Sequence, residues 1–216
     1  VAALGFDEAR RVVIDRVTEA RRRPVIEHTP LEEACGRVLA EDILADRDYP
    51  PFNRSVRDGF AVRAEDLPGP LQVIGEVRAG CVFAGKVGQG ESVEIMTGAP
   101  VPDGANCVVM IEHTRRDGPN VLVDRPYSAG NHIASMGCEA HRGSVVLAAG
   151  TRITPAGAGL LASVGASVAA VFRRPEVAIL ATGDEIVAGG VQPLPHQIRN
   201  SNSHTLAAQV RLAGGE

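Results

Sequence analysis

Residues Val177-Ala178-Ile179-Leu180-Ala181-Thr182-Gly183-Asp184-Glu185 decide how the chain is organised. Five apolar residues without polar alternation have the length of a strand, and such a run predicts a central strand of a parallel sheet covered on both faces. It ends in a hydroxyl, a glycine and two carboxylates. A polar loop leads to Asn200-Ser201-Asn202-Ser203, and 205–213 then reads as a helix stopped at Gly214-Gly215. Strand, loop and helix form the first step of an α/β domain. Ligands of open α/β sheets bind beyond the carboxyl ends of the strands, and a helix N-terminus attracts anions. Gly183, Asp184, Glu185, Asn200, Ser201 and Asn202 are therefore candidate binding residues; Asn200 and Asn202 also read as helix caps, and both roles are compatible. One such unit would leave both strand edges bare, so the domain is expected to continue beyond Glu216.

Toward the N-terminus the pattern changes twice. Thr154-Pro155 is a cap followed by a first-turn proline, predicting a helix through Leu160, Leu161 and Val164 that Gly165 closes. Before it, 60–146 carries short β-type runs at 71–77, 92–96, 107–112 and 121–123, separated by Gly, Pro and Asp-Gly, which predicts an all-β module. Tyr49-Pro50-Pro51-Phe52 is expected to be a stiff extended linker that opens this module. At the front, Phe6, Ala9, Val13, Val17 and Ala20 recur at three- and four-residue steps on one helical stripe, with Arg10, Arg11, Asp15 and Glu19 opposite. Thr29, Pro30 and Glu32 predict a capped second helix stopped at Gly36, and 38–45 reads as extended.

The composition is that of a folded globular chain: 216 residues, 44% hydrophobic and 22% charged. Aromatic residues are only 3%, with no Trp, which leaves no stacking platform for single-stranded nucleic acid. A net charge of −4 argues against a duplex-binding surface. Cys35, Cys81, Cys107 and Cys138 are scattered without CxxC spacing, so they are expected to be reduced, small core residues. No apolar run approaches the roughly 20 residues of a membrane span, and no charged-then-apolar leader opens the chain, which leads us to expect a cytoplasmic protein.

Three further clusters carry hydroxyls or carboxylates. In Ser55-Val56-Arg57-Asp58-Gly59-Phe60-Ala61-Val62 the Asp-Gly pair is foremost a turn signal. Ile95-Met96-Thr97-Gly98-Ala99-Pro100-Val101-Pro102 is a strand exit that also offers the Thr97 hydroxyl and an accessible amide at Gly98 to a phosphate or pterin. Gly137-Cys138-Glu139-Ala140 follows Gly130-Asn131-His132-Ile133; a carboxylate in such a loop suits Mg²⁺ or solvent equally. His132 and His141 read as satisfied loop histidines.

Taken in order, Arg57-Asp58-Gly59-Phe60-Ala61-Val62, then 95–102, then Thr182-Gly183-Asp184-Glu185 and Asn200-Ser201-Asn202 resemble the molybdopterin molybdenumtransferase family, the bacterial MoeA type and the E domain of gephyrin. The resemblance implies a multidomain α+β fold. Residues 1–48 and 145–174 would form an elongated helix and strand region that helps dimerise. Residues 49–144 would form an inserted β-rich domain, and 175–216 the truncated start of a molybdopterin-binding-like α/β domain. It implies an enzyme that takes adenylated molybdopterin and molybdate and releases AMP, the last step of molybdenum cofactor biosynthesis, with Mg²⁺ as cofactor. The implied partners are a second copy of the chain and the upstream adenylyltransferase, with no nucleic acid and no membrane. Carried over by position, Asp58, Thr97, Glu139 and Glu185 are the catalytic candidates, Asp58, Glu139 and Glu185 the metal ligands, and Gly59, Gly98, Gly183, Asp184, Asn200, Ser201 and Asn202 the substrate contacts. The loop Ala134-Ser135-Met136-Gly137-Cys138-Glu139-Ala140 departs from the family pattern: Glu stands where Asp is usual, and a basic pair is missing.

That departure motivates an alternative reading, a non-catalytic pterin-binding or scaffold member of the family. A generic nucleotide-binding module has no support, since neither GxGxxG nor GxxxxGK[ST] occurs.

Overall fold

The structure, a computed structural model, describes residues 4–19 and 24–216. The three- and four-residue spacing does produce a helix, α1 (Phe6–Glu19), yet none of its residues is buried, and Phe6 is 81% exposed. Ala20, expected on the same stripe, lies outside the described residues. The chain continues through β1 (Ile26–Pro30), α2 (Leu31–Ala34), β2 (Ile43–Leu44), β3 (Arg54–Ser55), β4 (Gly59–Val62), β5 (Gly69–Val77) and β6 (Glu91–Ile95). Next come β7 (Cys107–Met110), β8 (Thr114–Asp117), β9 (Asn120–Val123), β10 (Ile133–Ala134) and β11 (Val145–Leu147). The last elements are α3 (Pro155–Ser163), β12 (Val168–Phe172), β13 (Ile186–Val187), β14 (Ile198–Arg199) and α4 (Asn202–Ala213). They divide into two units, one of Ile43–Val146 and one of the residues up to Asp42 together with Leu147–Glu216.

In the second of these units β1 pairs antiparallel with β12, and Leu39 bridges Val171. Leu39, Ile153, Leu161 and Val171 are fully buried there. The expected cap at Thr29 does not form. Thr29 belongs to β1 opposite Ala169, its hydroxyl accepts from Arg37, and α2 starts after Pro30 with no side-chain cap. Here the tertiary ladder overrides the local capping preference. Arg37 also donates to the Phe172 carbonyl at 2.9 Å and pairs with Glu27, so a buried guanidinium fastens both strands. The second cap does form: Thr154 Oγ1 accepts from the Gly157 amide at 3.1 Å at the head of α3.

The run 177–181 is not a strand. Leu180 is 87% exposed, and the Val177 amide donates to the Glu216 carbonyl rather than to a ladder. A strand exists only with a neighbour that shares its hydrogen bonds, and among the described residues no strand pairs with this run; β13 and β14 pair with each other, in parallel. The helix after it, α4, is present and ends at Gly214, whose φ of 95° supplies the left-handed C-cap.

The Ile43–Val146 unit is built on a six-stranded sheet of order β7-β4-β6-β5-β9-β8. The β-type runs expected at 71–77, 92–96, 107–112 and 121–123 each supply a strand of it, although β6 ends at Ile95 and β7 at Met110, where residues 111–112 enter a turn. Its outermost strands, β7 and β8, are joined by a single turn at Ile111–His113, which covers only about 6 Å. The sheet must therefore curl until those two strands face each other. β4 shows how both faces fill: Phe60 and Val62 pack with Leu71, Val109 and Val121, and Ala61 with Val93, Ile95 and Val108, as the two-residue period of a strand requires. The unit starts before the double proline, not at it. Tyr49 bridges Ala140, so the 49–52 segment lies within the unit and is no linker. Residues 175–216 fall in the same unit as the N-terminal elements rather than in a separate one.

Of the four cysteines only Cys107 is a core residue, and burial pushes its thiol up to about 11. Cys35, Cys81 and Cys138 are exposed, because they sit on turns and loops where the chain has no second layer to cover them. No helix among the described residues is long and apolar enough to cross a membrane.

Candidate functional site

β3 is the strip on which the inserted unit assembles its polar residues. On one side it pairs with β10, Ser55 opposite Ile133 and Arg54 opposite Ala134. On the other it holds the 97–101 loop: the Ser55 amide donates to the Ala99 carbonyl, the Gly98 amide to Ser55 and the Val101 amide to Asn53. The chain leaves β3 through the turn that carries Asp58 and re-enters the sheet as β4.

This arrangement brings Asp58 and Thr97 together. The Thr97 amide donates to Asp58 Oδ1 at 2.6 Å and the Thr97 hydroxyl donates to the same oxygen at 2.8 Å. First the backbone bond and then the hydroxyl hold the Asp58 carboxyl below its ordinary range. Oδ2 takes neither bond, so an exposed, ionised carboxylate presents one oxygen outward. Gly59 lets β4 lie close against β7, since a Cβ there would be 1.9 Å from the Val109 carbonyl oxygen. Gly98 turns the loop at a φ of 85°, a conformation that costs other residues roughly 1 kcal/mol.

Glu139 lies in a loop sewn to the segment before β3. The Glu139 and Ala140 amides donate to the Tyr49 carbonyl, the Gly137 amide to Pro50, and the Met136 amide to Asn53 Oδ1. Its carboxylate is engaged: Arg54 Nη2 donates to Glu139 Oε1 at 2.6 Å. His132 is satisfied through Nδ1 on the Val108 carbonyl, and His141 lies 3.7 Å from Asp48.

Gly183, Asp184, Glu185, Asn200, Ser201 and Asn202 belong to the other unit. There the Glu185 carboxylate folds over Gly183, where an added Cβ would meet Oε2 at 2.7 Å. The Ile198 amide donates to the Glu185 carbonyl, so β13 and β14 hold residue 185 beside the entry to α4. Asn200 caps that helix, accepting from the Ser203 amide at 3.1 Å and donating to the Ser203 hydroxyl. A cavity of about 240 Å³ is lined by Thr182, Asn200, Ser201, Asn202 and the apolar residues of 179–181. Its mix of hydroxyls, amides and a helix N-terminus suits a polar, anionic ligand.

Among the described residues no three His, Cys, Asp or Glu side chains converge on one point. Asp58 fits a cation that takes one carboxylate oxygen and keeps most of its waters, as Mg²⁺ does. Glu139, already neutralised by Arg54, does not. Arg54 itself was absent from the candidates read in the sequence; the missing basic residues of 134–140 were the signal that a cation had to come from another stretch.

Comparison with known proteins fits this architecture. Residues 4–165 match the family described as MoeA N-terminal region (domain I and II). The chain belongs to that family. It is 41% identical over 219 aligned positions to the molybdopterin molybdenumtransferase of Bacillus subtilis, covering 96% of this chain and 50% of the relative. The Staphylococcus aureus protein of the same name is 37% identical over 193 positions, covering 86% of this chain and 46% of the relative. The molybdopterin biosynthesis MoeA protein of Pyrococcus horikoshii OT3 superposes with a TM-score of 0.90 at 35% identity, over all of this chain and 58% of that one. The chain thus spans about half the length of the curated relatives it matches.

Proposed function

We propose that the chain is the front part of a molybdenumtransferase that inserts molybdenum from molybdate into adenylated molybdopterin and releases AMP, the last step of molybdenum cofactor biosynthesis. The observation that carries this reading is the Asp58 carboxylate, fixed through one oxygen by both donors of Thr97 and open at the other. Membership of the MoeA family and the relatives' names support the chemistry.

Cleaving a phosphoanhydride beside an incoming oxyanion gathers negative charge, and Mg²⁺ held by carboxylates would supply the neutralisation. In the inserted unit Asp58 is the residue that would hold it, and Glu185 is the acidic candidate of the other unit. Thr97 keeps Asp58 ionised and oriented, whereas the Gly98 amide, expected to be accessible to a phosphate or pterin, is spent on the Ser55 carbonyl at 2.8 Å. Gly183, Asp184 and the α4 entry at Asn200, Ser201 and Asn202 would receive the anionic part of the substrate. The working protein is a cytoplasmic homodimer supplied by an adenylyltransferase; the apolar stripe of α1, exposed at Phe6, Val13 and Val17, supports a second copy as its cover. Asp58→Ala in the full-length protein is expected to lower AMP release by ~10²-fold or more while leaving the fold intact. Undiminished molybdenum incorporation in that variant would reject the assignment.

A second reading, a pterin-binding scaffold, draws on one observation, the neutralised Glu139. Steady AMP release with molybdate and Mg²⁺ excludes it; tight binding of adenylated molybdopterin without release favours it.

A further inference from the structure

We propose that Tyr127 is a positioning residue for Asp58, acting through two histidine-bearing segments that grip the Asp58 turn from its two ends. The inference rests on the reading of Asp58 as the working carboxylate and concerns what holds it in place. Besides Thr97, two backbone hydrogen bonds fix that turn from outside: the Val56 amide donates to the His132 carbonyl and the Ile111 amide to the Asp58 carbonyl, each at 3.0 Å. One anchor is therefore His132 and the other is the Ile111–His113 turn. Tyr127 touches both. Its hydroxyl lies 2.6 Å from His113 Nδ1, and its ring meets the His132 ring edge-on, 6.2 Å between centroids.

Each anchor needs that support. His132 has a φ of 56°, the only positive φ outside glycine among the described residues, and such a backbone persists only where its surroundings impose it. They do so through the imidazole, whose Nδ1 donates to the Val108 carbonyl at 2.9 Å while its ring rests against Tyr127. The Ile111–His113 turn has no buried residue, so packing does not hold it; the Thr114 hydroxyl on the Ile111 carbonyl and the His113–Tyr127 bond do. Tyr127 is itself seated, packed against the cluster of Phe60, Val62, Cys107 and Val109 and followed by a turn that the Ser128 amide closes on Asn131 Oδ1 at 2.9 Å. A ring with few rotatable bonds and a polar tip suits this bridging role. If the bridge is cut, the Asp58 backbone shifts and its carboxylate loses alignment with the two Thr97 donors.

The test is an NMR titration of the Asp58 carboxyl in the full chain, comparing the parent with Tyr127→Phe, Tyr127→Leu and, as a control, Val121→Ala, which opens a cavity in the same apolar cluster. Tyr127→Phe keeps the ring and loses only the hydroxyl; it is expected to raise the Asp58 midpoint by about half a pH unit, and Tyr127→Leu by more. Val121→Ala is expected to lower stability and leave the midpoint where it is. An unmoved midpoint in Tyr127→Phe would overturn the inference; so would an equal rise in Val121→Ala, which would make the effect a general loosening of the core. Should Tyr127→Leu fail to fold, the Phe variant decides alone. In the full-length enzyme Tyr127→Phe is expected to lower kcat for AMP release about threefold with KM unchanged. Absence of AMP release from the parent would sink the transferase reading, and the titration would still decide whether Tyr127 holds Asp58.

Discussion

At the residue scale the Asp58 and Thr97 contact sets a pH dependence. The folded carboxyl titrates below its ordinary value because the Thr97 amide, and after it the Thr97 hydroxyl, stabilise the charged form. A depressed carboxyl contributes stability that is complete above the unfolded pKa of about 3.9 and is lost as pH falls through the lower folded value. The 97–100 loop should therefore stay docked through neutral and mildly acidic pH and loosen only below that ordinary value, as the Thr97 amide resonance in an NMR titration would report. Thr97→Val removes the smaller of the two causes and should raise the Asp58 pKa part of the way; no change would show that the hydroxyl contributes nothing. Gly59→Ala places a methyl into the Val109 carbonyl, and a cost on the order of 3 kcal/mol is expected in chemical denaturation. The Asn200 cap was legible in the sequence from local rules, whereas Asp58 and Thr97, which by themselves read first as a turn and a strand exit, were singled out only by the order of motifs that resembles a family. Arg54 was not, since its partner lies 85 positions away and only the ladder between β3 and β10 puts the two side by side.

Elements were legible where local rules act alone. The α1 stripe, the Thr154 cap of α3, the Gly214 stop of α4 and the strand runs of the inserted unit all follow from spacing and turn residues. Thr29 and 177–181 were misread for one reason: whether a segment is a strand depends on what lies beside it. β1 finds β12, whereas 177–181 finds no ladder partner. Leu161 is fully buried on α3, and Leu161→Ala should cost about 2–5 kcal/mol. On α1 the reverse holds: Val13 is exposed, so Val13→Asp should leave unfolding free energy within about 0.5 kcal/mol. The same substitution should lower the mass seen by light scattering if the proposed dimer covers that face.

Across the whole molecule the inserted unit begins and ends at one place. The Ala45 amide donates to the Ser144 carbonyl at 2.9 Å and the Gly143 amide to Ala45 at 2.8 Å, so its two ends are neighbours. With its own two packed clusters it meets the usual conditions for a self-sufficient domain. The isolated 43–146 segment is expected to give a dispersed amide spectrum and a cooperative melt; a collapsed spectrum would show that it needs the remainder of the chain. The curling of its sheet has a consequence for how the protein behaves in a crowded solution. Bare outer strands are the usual templates for fibres. Here β7 and β8 are drawn face to face by three intervening residues, so another molecule finds no long flat rim on which to extend the sheet, and a unit whose regular structure is mainly strand is protected against polymerising through its own hydrogen-bonding groups.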